Sequence, residues 1–270
     1  MFPLAACPTQ HPGNLAEEFF AHMSLDPQSS HRAYGTVDLS ARDRHPELMD
    51  QPGLTEIEHF QALNTIGRFN RLTGLSRIFW RPIARLAGRV PDRPLRILDL
   101  ACGGGDLACS LWQHAQRAGI EVEVAECGIS PVALKLCRMN AERLSAPIEF
   151  FELDAVNGTL PDDYNVLTCS LFLHHLSDAD GESLLRRMAE SARRMVLLDD
   201  QMRSRLGFWL VILVTKLLTR SRLCRVDGPP SIRAAFAFPE VQQLVSQAGL
   251  SDAILTKHWP DRFLLEWRRT

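Results

Sequence analysis

Residues 97–112, ILDLACGGGDLACSLW, combine a short apolar run, three consecutive glycines and the start of a helical pattern. Glycine adopts positive φ angles readily and lets backbone N–H groups come close to a ligand. The helix that follows adds a partial positive charge at its first turn. These residues therefore predict a strand, a ligand-contacting turn at Gly103, Gly104 and Gly105, and a helix.

The C-terminal side of this stretch continues as alternating strands and helices. The predicted strands are RILDL, VEVAECGI, IEFFELDA, NVLTCSLFL and RMVLLDD, and the predicted helices are residues 105–118, PVALKLCRMNAERL and DGESLLRRMAESA. Such alternation is typical of a parallel sheet with helices on both faces. We therefore predict an α/β fold with a Rossmann-like doubly wound sheet, whose ligand lies at the carboxyl ends of the strands.

The flanking regions have a different pattern. Thr55 and Glu58 form a capping box that opens an amphipathic helix over residues 55–72, and a second helix follows over 75–86. After residue 201 come a long apolar segment, a Gly-Pro-Pro turn, a helix and two strands. The predicted organisation is a poorly ordered leader (1–45), an N-terminal helical cap (46–90), a ligand-binding α/β core (91–202), a helical lid (203–235), and a C-terminal helix and strands that complete the sheet (236–270).

Composition narrows the classes of partner and compartment. The chain has 270 residues, is 46% hydrophobic and carries a formal charge of −2, so it can bury a large core and has no global field that attracts nucleic acid. Its seven cysteines include no C-x-x-C pair and no Cys/His cluster, which favours reduced thiols, a cytoplasmic location and no metal site. We expect a small-molecule partner; nothing in the sequence indicates an oligomeric state.

The charges around the glycines indicate the kind of ligand. Gly103, Gly105 and Ala108 satisfy a G-x-G-x-x-A dinucleotide fingerprint, with Glu126 about twenty residues further on. However, Asp99 and Asp106 flank the turn, and residues 97–111 contain no lysine or arginine. A diphosphate would be repelled by about 1 kcal/mol or more for each close carboxylate. A ligand with an ammonium and a sulfonium, such as S-adenosylmethionine, would be attracted.

Several motifs resemble those of one known family. ILDLACGGGDL resembles the first motif of class I methyltransferases, GISPVAL the end of their second strand, LDA at 153–155 the third, and SLFLHHLSDAD the stretch after the fourth. The resemblance covers roughly residues 95–200. More loosely, the chain is similar to bacterial methyltransferases of quinone biosynthesis and polyketide tailoring. The resemblance implies the class I methyltransferase fold with a helical cap, and S-adenosylmethionine as cofactor.

The resemblance also implies cofactor contacts. They fall at Asp99, Ala101, Cys102, Gly103, Gly105, Gly128, Ile129, Asp154, Ala155 and Ser170, with Arg68 or Arg71 at the cofactor carboxylate. Asp99 would hold the amino group of the methionine moiety, and Asp154 would reach the adenine amino group or cap a turn. Two positions depart from the family. Ala101 replaces a glycine, which is tolerable if its φ stays negative. Gly128 stands where an acid would bind the ribose, so we expect Glu126 to reach across it or cofactor binding to be weak.

The exit of the fourth strand carries the candidate catalytic residues. His174 and His175 lie there, and a histidine that titrates near neutral pH suits removal of a phenolic proton. Asp199 and Asp200, which end the fifth strand, either orient that base or a substrate hydroxyl, or cap a helix. Residues 206–218 are apolar but too short to span a bilayer, so they form a buried lid helix or lie in a membrane interface.

These features lead to a hypothesis for the reaction. We predict methyl transfer from S-adenosylmethionine to a small lipophilic acceptor, by His-assisted O-methylation of a phenol or a polyketide-like aromatic. C-methylation of a quinol ring is one alternative. A non-catalytic methyltransferase-like accessory protein is the other, because Gly128 removes the expected ribose contact.

Overall fold

Five parallel strands make up one side of a seven-stranded sheet, from its β3 edge to β5, which confirms the predicted α/β fold. The computed structural model describes residues 37–50, 53–90, 94–219 and 221–269, of which Leu39 onward belong to one compact unit. The strand order is β3-β2-β1-β4-β5-β7-β6. The strands are β1 Leu95–Leu100, β2 Val122–Gly128, β3 Ile148–Glu152, β4 Val166–Ser170, β5 Met195–Gln201, β6 Ile254–His258 and β7 Arg262–Arg268.

Helices cover both faces of this sheet. They are α1 Glu56–Thr73, α2 Leu75–Ala87, α3 Asp106–Ala118, α4 Pro131–Arg143, α5 Asp178–Ser191, α6 Arg205–Leu218, α7 Arg222–Ala234 and α8 Phe238–Gln247. Four of the six β1 residues are apolar because both faces of the strand are covered: Leu95 and Ile97 lie in one core cluster, and Leu98 and Leu100 lie in another. β7 runs antiparallel to both β5 and β6 and extends the sheet beyond β5.

Helices α1, α6 and α7 lie over the carboxyl ends of the parallel strands. The predicted capping box is present: the Glu58 N–H donates to Thr55 Oγ1 at 3.3 Å, and Thr55 N–H donates to Glu58 Oε2 at 3.1 Å. Helix α1 packs against α2, α4 and α7, while α6 and α7 pack against each other. Within the described residues, the structure contains no helix that is long and apolar enough to cross a membrane.

The predicted leader is only partly described. Residues 1–36 lie outside the described part, but residues 39–45 are held against the fold rather than loosely ordered. The Arg42 guanidinium donates to the carbonyls of Leu176 at 2.9 Å and Ala234 at 2.8 Å, and its plane covers the Phe236 ring. Arg203 also donates to the Leu39 carbonyl at 3.0 Å, and Arg233 pairs with Asp43. Long-range contacts of this kind leave no periodic pattern in the sequence.

The predicted Gly-Pro-Pro turn is wrong. Gly228, Pro229 and Pro230 lie inside α7. A Cβ at Gly228 would stand 2.9 Å from Val211 Cγ2, so the glycine allows α6 and α7 to cross closely. Proline φ is compatible with a helix, and this tertiary contact outweighs the local turn preference of the three residues.

Candidate active site

A cavity of about 1250 Å³ lies at the carboxyl ends of the parallel strands, beneath α1, α6 and α7. The sequence-predicted residues that line it are Asp99, Ala101, Cys102, Gly103, Gly128, Ile129, Asp154, Ala155, Ser170, His174, His175 and Arg68. Gly105, Glu126, Asp199 and Arg71 are not among its lining residues. The volume exceeds the usual range for one small ligand, so the cavity has room for a cofactor and an acceptor together.

The glycine turn is built from three residues with positive φ. Ala101 has φ 57°, Gly103 φ 52° and Gly105 φ 74°, and Gly105 caps the start of α3. The Cys102 N–H donates to the Cys127 carbonyl at 3.0 Å, which holds the chain in this turn. The condition under which the alanine would be tolerated, a negative φ, is therefore not met. The alanine stands in the left-handed conformation that the family's glycine would adopt without strain.

The variant Ala101→Gly should stabilise the protein by about 1 kcal/mol. The left-handed conformation costs a non-glycine residue about 1–2 kcal/mol, and glycine avoids this cost. Glycine also raises the conformational entropy of the unfolded chain, which offsets part of the stabilisation. Urea unfolding of the ligand-free protein measures the difference. Ala108→Gly, inside α3, is the control and should destabilise by about 1 kcal/mol. A loss of stability at position 101 would contradict the strain argument.

Three carboxyl groups cluster at this turn, of which those of Asp99 and Glu126 are buried and that of Asp106 is partly exposed on the cavity wall. Asp99 and Glu126 are direct partners in the β1–β2 register, and Asp106 opens α3. Asp99 accepts a hydrogen bond from Thr168 Oγ1 at 2.6 Å, but burial and the Asp106 carboxylate raise its pKa to about 7. Burial, followed by repulsion from Asp99, raises the pKa of Glu126 well above its usual value. The turn therefore lies over an excess of acid.

Glu126 does not take the place of the acid missing at Gly128. It is fully buried below the turn, and a Cβ at Gly105 would stand 3.0 Å from its Oε2 and 3.1 Å from Cys137 Cβ. Glu126 therefore cannot reach across Gly128 to a ligand in the cavity, contrary to the expectation from the sequence. Gly105 is required where this carboxyl and α4 approach the backbone, which is a packing role rather than a contact with the cavity.

Asp154 caps a turn, one of the two roles considered for it, and it also lines the cavity. Its Oδ1 accepts from the Val156 N–H at 2.8 Å and the Asn157 N–H at 3.2 Å, and its Oδ2 accepts from Asn157 Nδ2 at 2.8 Å. These bonds, that from the Asn157 side chain first, hold its pKa below the usual value. Asp154 therefore shapes the turn after β3 while it remains on the cavity wall.

Sequence reasoning missed a base in the site. Arg262, from β7, is buried and lines the cavity. Its guanidinium donates to Asp199, to Asn70 Oδ1 at 3.0 Å and to Ser170 Oγ at 3.2 Å. Residues 97–111 contain no base, but β7 pairs with β5 and brings Arg262 to the site from far along the chain. Nothing in the sequence WPDR, of which Arg262 is the last residue, distinguishes this arginine.

Asp199 is consequently a structural partner rather than a residue of the cavity wall. Its Oδ1 pairs with Arg262 and its Oδ2 lies 2.5 Å from His258 Nε2. The prediction that Asp199 acts in the cavity is therefore not supported. The side chain of the next residue, Asp200, points to the opposite face of the sheet, where its Oδ1 lies 2.8 Å from His174 Nδ1. Asp200 is the carboxylate that orients a histidine.

The two histidines differ in charge. They form a short 3₁₀ turn, Leu173–His175, after β4. Burial alone would lower the pKa of His174, but Asp200 and Glu47 outweigh it and raise this pKa to about 10. Burial and the neighbouring His174 lower the pKa of His175 to about 4. Neither value lies near neutrality, so the expectation of a histidine that titrates there is wrong.

Comparison with known proteins agrees with this geometry. Residues 97–194 match the family model described as "Methyltransferase domain". The chain is 35% identical over 108 residues to a demethylmenaquinone methyltransferase of Thermus thermophilus, covering 38% of this chain and 47% of that protein. It is 30% identical over 147 residues to a ubiquinone biosynthesis O-methyltransferase of Aeromonas salmonicida, covering 52% and 58%. The chain thus spans about half the length of the curated relatives it matches.

Solved structures show the same fold. The S-adenosylmethionine-dependent methyltransferase SibL, in its apo form, superposes with a TM-score of 0.57 at 16% identity, covering 93% of this chain and 72% of that one. At this identity the likeness concerns the fold. Together with the family match, it identifies residues 97–194 as a methyltransferase domain, built in the fold of the class I S-adenosylmethionine-dependent methyltransferases.

Proposed function

We propose that this protein transfers a methyl group from S-adenosylmethionine to an oxygen of a small lipophilic phenol. The observation that carries the proposal is one continuous cavity with two kinds of wall. The glycine turn and Asp99 form its polar end, and apolar side chains of α6 and α7 form the other. A charged cofactor and an apolar acceptor would each meet a suitable wall.

The polar end fits the cofactor in charge. Asp99 is buried on the cavity wall with its pKa raised to about 7 by burial and by Asp106, which is the signature of a carboxylate that lacks a cation. The ammonium of the methionine moiety would supply that cation. Arg262, whose Nε has no hydrogen-bond partner within the described residues, would face the cofactor carboxylate in place of Arg71. Asp154 and Ala155 would lie beside the adenine, and Ser170 beside the methionine end.

The apolar end fits an aromatic acceptor. Leu210, Val211 and Val214 of α6, Ile232 of α7 and Phe172 line it. S-adenosylmethionine supplies the methyl group and leaves as a neutral thioether. As the C–S bond breaks and the C–O bond forms, the acceptor hydroxyl would release its proton to solvent, and His175 on the cavity wall would accept a hydrogen bond from that hydroxyl before the proton leaves. Alignment of the acceptor and exclusion of water supply much of the acceleration.

C-methylation of a quinol ring is the second candidate, favoured by the demethylmenaquinone methyltransferase among the relatives. Incubation with methyl-labelled S-adenosylmethionine and alkyl-chain phenols or quinols, followed by NMR of the product, separates O-methyl from C-methyl groups. We expect calorimetry to show cofactor binding and labelled product from phenols. Tight uptake of NADH or FAD with indifference to S-adenosylmethionine would overturn the proposal. An absence of both cofactor binding and turnover would favour the accessory protein.

We also propose that α6 rests on an anionic membrane surface. Its inner face lines the cavity, while its outer face carries an exposed stripe of Leu206, Trp209, Leu213 and Leu217 at helical spacing. Arg205, Lys216 and Arg222 are exposed beside this stripe, and residues 202–226 contain no acidic residue. The two roles predicted for residues 206–218, a lid and an interface helix, would thus belong to opposite faces of α6. Apolar area flanked by bases is typical of interfacial helices.

Vesicle binding tests this surface. We expect the full chain to sediment with phosphatidylglycerol vesicles and much less with phosphatidylcholine vesicles. The double variant Trp209→Ser, Leu213→Ser should lower the partition coefficient at least tenfold, because two large apolar side chains lose about 2 kcal/mol or more of transfer free energy. Met139→Ser, an exposed apolar residue on α4, is the matched control and should bind as the parent does. Equal sedimentation of all three proteins would refute the proposal.

A further inference from the structure

Three side chains that could bind a metal meet on the acceptor side of the cavity. They are Glu47, which precedes the 3₁₀ turn Leu48–Asp50, and His174 and His175 of the turn after β4. Their ligand atoms all lie within 4.8 Å of one another, and all three residues line the cavity. Glu47 and His174 are buried, with 9% and 4% of their surface exposed. We call this group the Glu47–His cluster.

We propose that the Glu47–His cluster binds a divalent first-row transition-metal ion. Glu47 Oε1 is buried and has no hydrogen-bond partner within the described residues, and His174 Nε2 stands 3.5 Å from it. Leaving a buried carboxylate oxygen without a donor is costly. An ion between Glu47 and the imidazoles would give that oxygen a partner.

Charge balance supports the same assignment. The carboxylates of Glu47 and Asp200 lie on opposite sides of the His174 ring, at 3.5 Å and 2.8 Å from its two nitrogens. An imidazolium, with a proton on each ring nitrogen, offsets only one of these two carboxylates. A divalent ion bound by neutral imidazoles would balance both carboxylates. Burial favours the balanced arrangement, because an uncompensated charge is expensive away from water.

Asp200 already orients His174 as a ligand. Its Oδ1 lies 2.8 Å from His174 Nδ1, and its Oδ2 accepts from the His174 N–H at 2.9 Å. With the Nδ1 proton held by Asp200, an ion that displaces the Nε2 proton would meet a lone pair directed toward the cluster, the arrangement that metal-bound histidines commonly show. The Ser231 hydroxyl, 3.2 Å from Nε2, is the other polar group at this nitrogen. A bound ion would replace this hydroxyl as the partner of His174 Nε2.

The ligand set indicates the class of ion. Two imidazole nitrogens and one carboxylate suit zinc, manganese, iron or cobalt better than magnesium or calcium, which prefer oxygen ligands. Ligand atoms at about 2.1 Å from one ion lie at most about 4.2 Å apart, so small side-chain rotations close the site. Three protein ligands leave a position open toward the cavity, which is typical of catalytic rather than structural sites.

The role of the ion deepens the proposed function and rests on it. An acceptor hydroxyl beside a divalent ion loses its proton to solvent more readily, and the resulting phenolate attacks the methyl group. The ion would then do what neither histidine does by itself. Ion binding can be measured without turnover, so the two proposals can fail separately.

The experiment uses the full chain without a histidine tag, stripped with a chelator and titrated with Co²⁺ in the calorimeter and by visible absorption. We expect one ion per chain and cobalt d–d bands. Glu47→Gln and His175→Gln should each weaken binding at least tenfold, and Asp200→Asn, acting through His174, by 10–100-fold. His114→Gln, whose ring stacks on Trp80 away from the cluster, is the matched control and should bind as the parent does.

Circular dichroism and S-adenosylmethionine affinity, both unchanged, would show that the variants fold. Binding of no cobalt by the parent, or equal binding by Glu47→Gln, His175→Gln and the parent, would overturn the metal site. Stoichiometric binding without methyl transfer to any phenol would keep the site and remove the proposed function. Full turnover in chelator would overturn the role of the ion in that function.

Discussion

Replacing Asp99 by asparagine should weaken S-adenosylmethionine binding by about 10-fold to 100-fold. The variant keeps the size of the side chain and an oxygen that can accept from Thr168 Oγ1, but it removes the negative charge. A hydrogen bond between charged groups contributes about 1.5–3 kcal/mol, and most of this is lost when one partner becomes neutral. Titration calorimetry at pH 8 measures the change.

The same variant should be more stable than the parent when no cofactor is bound. The pKa of Asp99 is about 7 in the folded protein, raised from 3.8 by burial and then by Asp106. Above pH 4 the unfolded chain releases this proton more readily than the folded chain, so stability falls as the pH rises from about 4 through about 7. The asparagine side chain has no proton to lose. The advantage of the variant should therefore be absent at pH 4 and complete above pH 7.

Glu126→Gln is the matched control for this experiment. Glu126 is the register partner of Asp99 and is equally buried, but it does not line the cavity. The variant should share the gain in stability and bind the cofactor within about twofold of the parent. Unchanged affinity in Asp99→Asn, or an equal loss in both variants, would remove Asp99 from the cofactor site.

Replacing Arg262 by methionine should destabilise the fold by about 3–5 kcal/mol. Arg262 and Asp199 are both buried, and the arginine also donates to Asn70 and Ser170. Methionine leaves the Asp199 carboxylate in the core with His258 as its remaining ionisable partner. Breaking one half of a buried ion pair costs more than the pair contributes, because the other charge stays desolvated.

Urea unfolding monitored by circular dichroism measures this loss. The double variant Arg262→Met, Asp199→Leu should recover much of it, since it removes both charges. Arg186→Met breaks the exposed pair with Glu182 on α5 and should change stability by less than about 0.5 kcal/mol. A small effect of Arg262→Met alone would show that water or His258 compensates Asp199.

The local sequence predicts much of the sheet because its signals act over short distances. Apolar runs mark the five parallel strands, and the Thr55 to Glu58 capping box marks the start of α1. The turn at Gly103 and Gly105 follows from the same reasoning, since positive φ is needed where a strand turns sharply into a helix.

The site depends on contacts that local patterns do not carry. Arg262 reaches the cavity from β7, and Glu47 meets the two histidines from 127 and 128 positions away in the chain. Glu126 was expected in the cavity because it shares a strand face with Gly128, but the turn at Gly105 lies directly above it. The alternation of residues along a strand predicts the side of the sheet to which a side chain points. How deeply that side chain is buried depends on the elements packed over it.

Helix α6 lines the cavity with one face and exposes the other, and this arrangement affects how the activity should be assayed. If its outer face rests in the lipid while its inner face lines the cavity, the acceptor can pass from the bilayer to the site without entering bulk water. The rate would then follow the mole fraction of acceptor within the vesicle, and adding more vesicle lipid at fixed acceptor would slow the enzyme by surface dilution. Methylation removes a hydrogen-bond donor, so the product would return to the lipid rather than accumulate in the cavity.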